Sequence, residues 1–296
     1  MPEGGTAITI GVFDGVHLGH QHLFSQVKAV AQSLGCQSGA VCFRNNPLEV
    51  LQPGIKLAYL STMEQRVQLI KEAGIQIVCP ITFTLEVRNL SPLQFVTLLK
   101  ERLGMKALVV GPDFALGKNR AGNIPVLTEI GRELGYGVAV ASPFTLEGQV
   151  VSSTRVRQAL KDGDVAAARR LLGRPYAVTG VVERGKGRGA GLGFPTANIS
   201  YPESQILPSN GIYAAWAVFE RQRYKAAVSI GMNPTFMDVN KPSLEAHVLD
   251  FQRDIYGMSL TLEFERRLRD EAKFDTLEAL KRQISADVEQ VRTLLA

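Results

Sequence analysis

The chain has 296 residues, a hydrophobic fraction of 45% and a formal net charge of +5, which accommodates two hydrophobic cores and excludes a disordered protein. No apolar run approaches the length that spans a bilayer, Met1-Pro2-Glu3-Gly4-Gly5 lacks the basic stretch of a secretory signal, and the three cysteines have no motif spacing, so reduced thiols, a cytoplasmic location and no membrane partner are expected. The net charge suits anionic ligands and is equally compatible with nucleic acid, but Lys and Arg are dispersed among acids without a long basic run, so charge alone decides nothing; no nucleic-acid partner is expected.

Residues 6–12 read as a buried strand, and Leu23, Val27, Val30 and Leu34 recur at helical spacing. Between them lies Gly11-Val12-Phe13-Asp14-Gly15-Val16-His17-Leu18-Gly19-His20, so two histidines fall at a strand-to-helix turn. A helix N-terminus presents unpaired N–H groups and positive potential to an anion. His17 and His20 share a face there and are candidates to stabilise phosphate charge as it builds in a transition state. Gly11, Phe13 and Gly19 are candidates to bring backbone close to the same phosphates. Paired histidines also bind zinc, but Cys36, Cys42 and Cys79 are scattered and no third ligand follows at zinc-site spacing.

Strand and helix patterns then alternate: strand 39–43, helix 63–73, strand 75–79, helix 91–103, strand 106–110, helix 124–134 and strand 137–141. This alternation predicts a parallel, doubly wound α/β sheet. Ser91-Pro92 supplies an N-cap and a proline at the first helical position, while Gly104 and Gly135 stand at C-caps. Ligands of such sheets bind beyond the carboxyl ends of the strands, where the histidine turn projects. Helices over 154–161 and Val165–Leu172 follow, and Gly173-Arg174-Pro175 breaks the pattern, which places the domain boundary between 173 and 174. From Tyr176 the chain reads as strands over 177–183, 212–219, 224–230, 244–251 and 259–266, the spacing of a small antiparallel β-barrel. Asp275-Thr276-Leu277-Glu278 has the pattern of a capping box opening a last helix, whose Leu277, Leu280, Ile284, Val288, Val291 and Leu295 form one stripe suited to packing on the barrel.

Two further segments carry phosphate chemistry. Val151-Ser152-Ser153-Thr154-Arg155-Val156-Arg157 places hydroxyls and guanidinium groups at a helix start, which suits gripping a polyphosphate, although ordinary helix caps also use serine and threonine. Gly185-Lys186-Gly187-Arg188-Gly189-Ala190-Gly191-Leu192-Gly193-Phe194-Pro195-Thr196-Ala197-Asn198 alternates glycine between basic residues, so a loop at Gly187 and Gly189 can fold over phosphates. Thr196 and Asn198 are oxygen donors of the kind magnesium tolerates beside nucleotide phosphates. This is no Walker loop, since G-x-x-x-x-G-K-[ST] is absent. Strand alternation puts Glu245, His247 and Leu249 on one face and Leu244, Ala246 and Val248 on the other, so Glu245 could accept a hydroxyl proton at a barrel mouth. A solvated outward glutamate fits the same pattern.

In this order the segments Gly11 to His20, Gly111-Pro112-Asp113-Phe114, Ser152 to Arg157, Leu192 to Asn198, Pro208-Ser209-Asn210-Gly211-Ile212-Tyr213, Pro234-Thr235-Phe236 and Leu244 to Gly257 resemble the bifunctional prokaryotic riboflavin kinase/FAD synthetase family. Leu-Gly-Phe-Pro-Thr-Ala-Asn is the most specific of them. The resemblance implies a Rossmann-like nucleotidyltransferase domain over 1–173, which adenylates FMN to FAD with release of pyrophosphate, and a riboflavin kinase barrel over 174–296. It implies Glu245 as general base for the ribityl hydroxyl, Thr196 and Asn198 as ligands of Mg2+, and ATP as co-substrate of both reactions. It further implies His17 and His20 as transition-state stabilisers, with Ser153, Thr154 and Arg157 on the pyrophosphate. Asp113, Arg269 and Phe274 match family segments near the flavin. The implied partners are riboflavin, FMN and ATP, with the oligomeric state left open.

Two departures stand out. Phe43-Arg44-Asn45-Asn46-Pro47 replaces the usual Phe-x-Pro-His-Pro, so an asparagine that cannot carry charge stands for a histidine, and Ser229 replaces a frequent asparagine. Asn46 motivates an alternative in which the amino-terminal half is inactive or uses another nucleotide. A flavin- or RNA-binding regulator is a further alternative, but it would have no need of Thr196, Asn198 and Glu245 together.

Overall fold

The computed structural model describes residues 2, 4–185, 188–232 and 242–296. It divides into two compact units, Met1–Ser153 and Thr154–Ala296. In the first, strands β1 (Thr6–Gly11), β2 (Gln37–Phe43), β3 (Ile77–Ile81), β4 (Met105–Val110) and β5 (Gly137–Val140) form a parallel sheet in the order β3-β2-β1-β4-β5. Helices α1 (Leu18–Ser33), α2 (Pro47–Leu51), α3 (Met63–Glu72), α4 (Leu85–Asn89), α5 (Pro92–Leu103) and α6 (Ile124–Leu134) connect these strands. A short hairpin, β6 (Thr145–Leu146) with β7 (Gln149–Val150), follows.

Both faces of the sheet are covered, which explains why its strands are apolar without alternation. Ile8, Ile10, Leu108 and Val110 pack with Phe95, Val96, Leu99 and Leu127 of α5 and α6, while Ala40, Cys42 and Val109 pack with Phe24 and Val27 of α1 and Ile70 of α3. The strand order reverses between β1 and β4, and the histidine turn leaves the carboxyl end of β1 at that switch point. Ser91 and Gln94 complete a capping box on α5, and Gly104 and Gly135 terminate α5 and α6 in left-handed conformations.

In the second unit, α7 (Ser153–Lys161) and α8 (Val165–Leu172) precede β8 (Tyr176–Glu183), α9 (Arg188–Gly191), β9 (Ala197–Ser200), β10 (Gly211–Phe219), β11 (Gln222–Met232), β12 (Pro242–Val248), β13 (Ser259–Arg269) and α10 (Leu277–Leu294). The six strands close into a barrel in the order β10-β11-β12-β9-β8-β13. Val165, Ala168, Leu171 and Leu172 of α8 are buried, and Arg169 pairs with Glu265 of β13. Ala214 and Leu249 pack under Val288, Val291 and Leu295 of the terminal helical segment, with Phe194 and Ile284 against the same cluster.

Several expected boundaries move for identifiable reasons. The strand expected over 75–79 starts at Ile77, because Gly74 turns left-handed (φ 87°) after α3 and Ile75 still bonds back to Ile70. That expected over 244–251 ends at Val248, since Asp250 takes φ 56°. β9 was not expected at all, yet it closes the barrel between β12 and β8. On α10 the N-cap is Thr276, which accepts from Ala279 N, so position N3 is alanine and the reciprocal glutamate arm of a capping box has no place. The shift also turns Leu277 outward, 65% exposed. Leu277→Ser is therefore expected to change stability by less than about 0.5 kcal/mol, whereas Phe264→Ala in the barrel core should cost about 3–5 kcal/mol, a contrast readable by chemical denaturation.

Candidate functional site

The histidine turn is built from unusual backbone. Phe13, Gly15 and Val16 have φ of 51°, 75° and 40°, a region that costs a β-branched residue strain. The Phe13 side chain is core, touching Phe24 and the edge of His20, so a ligand can meet only its backbone. His17 caps α1 and its Nδ1 accepts from His20 N (3.4 Å). Because Nδ1 is an acceptor, the proton of a neutral His17 sits on Nε2. The imidazoles of His17 and His20 stack at 3.7 Å between centroids. Gly19 admits no side chain, for a Cβ would lie 2.9 Å from the Val151 carbonyl and 3.1 Å from the His17 ring. Gly11 is equally closed, by the Phe13 ring at 2.8 Å. Beneath the turn, Cys42 is fully buried, and burial pushes its thiol up to about 11.

Ser153, the last residue of the first unit, donates from Oγ to the Asp14 carbonyl of the histidine turn (3.0 Å). Thr154 and Arg157, one turn apart on α7, belong to the second compact unit. Asp113 is exposed and its carbonyl accepts from Arg120 (2.9 Å). Its neighbour Phe114 lines an apolar cavity of about 240 Å³ with Phe43, Phe83, Val87 and Phe95. Asn46 caps α2, accepting from Leu48 N, and its own N–H donates to Tyr59 Oη (2.7 Å). Tyr59 in turn donates to Glu49, and burial pushes its phenol up to about 12.

In the second unit one cavity of about 290 Å³ is lined by Gly189, Thr196, Glu245, Arg269 and Phe274, among others. Register explains the convergence: Glu245 on β12 faces Asn198 on β9 and Ser229 on β11, and Asn198 faces Glu183 on β8. Leu244, Ala246 and Val248 point into the barrel core, which leaves Glu245 and His247 on the cavity side. Thr196 Oγ1 donates to Glu245 (3.4 Å), and His247 Nδ1 lies 2.8 Å from the Pro195 carbonyl, one residue before Thr196. Gly185 is required where it stands, since a Cβ would fall on the Asn198 amide. Gly187 lies outside the described residues, as does Pro234-Thr235-Phe236.

Arg269 forks onto the buried Asp287 of α10 (2.9 and 2.7 Å) and lies over the Phe274 ring at 5.9 Å. Glu271 folds against Gly231 on the same cavity wall, and desolvation raises its carboxyl above the usual range despite Arg269 nearby. Neither Asp287 nor Glu271 was singled out from sequence. Asp287 had a legible signal, a charge on the apolar stripe of Ile284, Val288 and Val291. A smaller cavity of about 120 Å³, lined by Val182, Pro195, Ala197, Phe251 and Tyr256, also takes Thr196 into its wall.

A parallel switch-point sheet with a histidine turn, followed by a closed barrel whose largely apolar cavity holds Thr196 and Glu245, defines a two-domain phosphate-transferring enzyme. The family model for FAD synthetase matches residues 2–155 and that for riboflavin kinase matches residues 172–295. A bifunctional riboflavin kinase/FMN adenylyltransferase of Pseudomonas fluorescens is 38% identical over 99% of this chain and 94% of its own. The enzyme so named in Escherichia coli strain K12 is 33% identical over 97% of this chain and 91% of its own. A crystal structure from Streptococcus pneumoniae, described as a macrolide-efflux protein, superposes with a TM-score of 0.90 at 29% identity, covering 97% of this chain and 94% of that one. No helix among the described residues is long and apolar enough to cross a membrane. The chain belongs to the bifunctional riboflavin kinase/FMN adenylyltransferase family, and carries both the kinase and the adenylyltransferase domains.

The Cys42 environment yields a direct check. A thiol displaced to about 11 stays protonated while ordinary thiols ionise near 8.5, so iodoacetamide at pH 8.5 should alkylate the half-buried Cys36 and Cys79 of the native protein and spare Cys42. Mass spectrometry after unfolding in urea should then show all three modified.

Proposed function

We propose that riboflavin is phosphorylated in the barrel, with Glu245 as general base, and that FMN is adenylated at the His17–His20 turn, with functional domains 1–173 and 174–296. The observation that carries this reading is the one cavity lined by Thr196, Glu245, Arg269 and Phe274. Riboflavin lies with its ring system against Phe274 and the apolar wall of Leu192, Phe194 and Ile284. Its terminal ribityl hydroxyl reaches Glu245, gives up its proton there and attacks the γ-phosphate of ATP, whose bond to the β-phosphate breaks so that ADP leaves. The nucleotide enters from the smaller cavity, and Thr196, shared by both walls, marks where phosphate and hydroxyl meet.

Oxygen donors Thr196 and Asn198, with Glu245 alongside, fit a divalent ion delivered with ATP better than a resident metal cage. Among the described residues no group of three or more His, Cys, Asp and Glu could hold a metal. Magnesium, when bound with ATP, neutralises phosphate charge. Gly189, which falls in the short helix α9 rather than in the expected loop, contributes its backbone N–H to the phosphates, and Arg269, braced by Asp287, keeps Phe274 in place.

In the amino-terminal domain the FMN phosphate attacks the α-phosphate of ATP and pyrophosphate leaves, with no covalent enzyme intermediate. His17 and His20 donate to the developing charge, and backbone at Gly11, Phe13 and Gly19 frames it. Ser153, Thr154 and Arg157 hold the departing pyrophosphate. The apolar cavity of Phe43, Phe83 and Phe114, with Asp113 at its edge, receives the flavin. The FAD synthetase match over 2–155 speaks against an adenylyltransferase half turned to another task by Asn46, which here serves as a helix cap. Three free thiols suit a cytoplasmic enzyme, and neither a membrane nor a nucleic acid is a partner in this reading.

Glu245→Gln is expected to lower FMN formation by about 10²- to 10⁴-fold while FAD formation from supplied FMN persists, and His20→Ala is expected to do the reverse. A chromatographic time course with ATP and magnesium, started once from riboflavin and once from FMN, reads both. Equal loss of both activities in either variant would sink the two-site assignment.

A further inference from the structure

One buried charged pair takes no part in the chemistry described above. Arg66 on α3 is 1% exposed and Asp14, inside the histidine turn, 3%. The Asp14 carboxylate accepts from Leu60 N (3.0 Å), Ser61 N (3.2 Å) and Ser61 Oγ (3.2 Å), while Ser61 Oγ accepts from Gly15 N (3.0 Å). Arg66 Nη2 donates to Asp14 (3.4 Å) and to the Ser61 carbonyl (3.3 Å). Its Nη1 donates to the carbonyls of Val12 (3.1 Å) and Phe43 (2.9 Å). The guanidinium therefore grips the turn at the last carbonyl before it and at the carboxylate within it, and anchors both to the end of β2.

These bonds bracket the residues whose backbone is left-handed, Phe13, Gly15 and Val16, and His17 follows directly. A turn in such a conformation persists only where its surroundings over-determine it. The histidine rings inherit their position from it, since His17 caps α1 and His20 stacks on His17 while its edge meets Phe13.

We propose that Arg66, acting through Asp14 and Ser61, is a positioning residue for FMN adenylation: it holds the strained turn that aims the His17–His20 pair. This rests on the assignment of that turn to adenylation. Arg66 touches no reacting atom in this account, so its effect must travel through the histidines. A purely stabilising arginine would show no such dependence.

The test uses the full chain and four proteins: wild type, Arg66→Gln, His20→Ala and the double variant, each assayed for FAD formation from FMN and for riboflavin phosphorylation. Misplacement of catalytic groups by about 1 Å costs up to about 10²-fold. Arg66→Gln should lower kcat for FAD formation by about tenfold or more, with KM for ATP within about threefold of wild type, since the loss is confined to the transition state. Riboflavin phosphorylation should be unchanged. In the His20→Ala background Arg66→Gln should cost clearly less than it does in wild type, because only His17 remains to be aimed. If Arg66→Gln does not accumulate as folded protein, Ser61→Ala takes its place in the same cycle, keeping the Arg66–Asp14 pair and losing the hydroxyl's bonds to Asp14 and Gly15.

Losses that multiply in the double variant, a change in KM alone, or a parallel fall in riboflavin phosphorylation would overturn the positioning role. Wild-type protein that forms no FAD, or His20→Ala that forms it at the full rate, would instead overturn the adenylation assignment and the proposal with it.

Discussion

The amino-terminal domain depends on holding a charge pair out of water in order to keep a turn in a shape it would otherwise leave. Asp14 and Arg66 are both almost wholly buried, and an isolated ion there would be intolerable. Each is instead surrounded by donors or acceptors: backbone N–H groups and a hydroxyl for the carboxylate, three carbonyls for the guanidinium. Removing one member of such a pair costs about 3–5 kcal/mol, because the other is stranded, whereas the left-handed residues it restrains cost of order 1–3 kcal/mol each. The restraint and the strain are of the same size. Hence the turn is stable where it is and has no cheap alternative, which is the condition for presenting two imidazoles in one fixed stack.

The barrel domain reaches its site by a different route. Ladder register puts Ser229, Glu245 and Asn198 side by side on β11, β12 and β9. Alternation then decides which residues of β12 face the cavity and which fill the core. A one-residue slip would exchange Glu245 for Leu244 or Ala246, and the buried Leu244, Ala246 and Val248 prevent it. The same residues that make the core thus fix the position of Glu245. The chain before β9 is tied at several points: glycine at 185 leaves room for the Asn198 side chain, Phe194 anchors under α10, and His247 bonds the Pro195 carbonyl.

What could be read from residues alone divides along the same line. The α/β alternation, the caps of α5 and α6 and the alternating face of β12 are local patterns, and each appeared close to where it was expected. The candidate residues His17, His20 and Glu245 lie at the ends and faces of those elements. β9 escaped because four residues flanked by Gly-Phe-Pro and Tyr-Pro show too little periodicity to register, and its strand identity comes from neighbours distant in sequence. The left-handed φ of Val16 escaped because valine is the last residue one would place there; bonds around it, from Gly15 to Ser61, from Arg66 to the Val12 carbonyl and from Gln21 to its own carbonyl, hold the turn. Arg66 looked like an ordinary polar residue of α3, yet it lies three residues after Met63 and four before Ile70, on the stripe that faces the sheet. Asp287 sits on the stripe of α10 in the same way. A charge on the apolar face of an amphipathic helix was the overlooked signal in both domains.

That coincidence has a physical basis. A helix that buries a charge must bring it to partners already fixed in space, so the ion pair becomes a coordinate linking the helix to a loop it does not adjoin in sequence. In the first domain Arg66 links α3 to the turn after β1; in the second Asp287 links α10 to Arg269 at the end of β13, where Phe274 and Glu271 complete the cavity wall. An apolar pair of equal volume would pack as well and could even be more stable. It would not carry direction, because apolar contact tolerates sliding that a forked, multiply bonded guanidinium does not. Both sites therefore place their least local interaction where the chemistry needs the smallest positional error, and surrender some stability to do so.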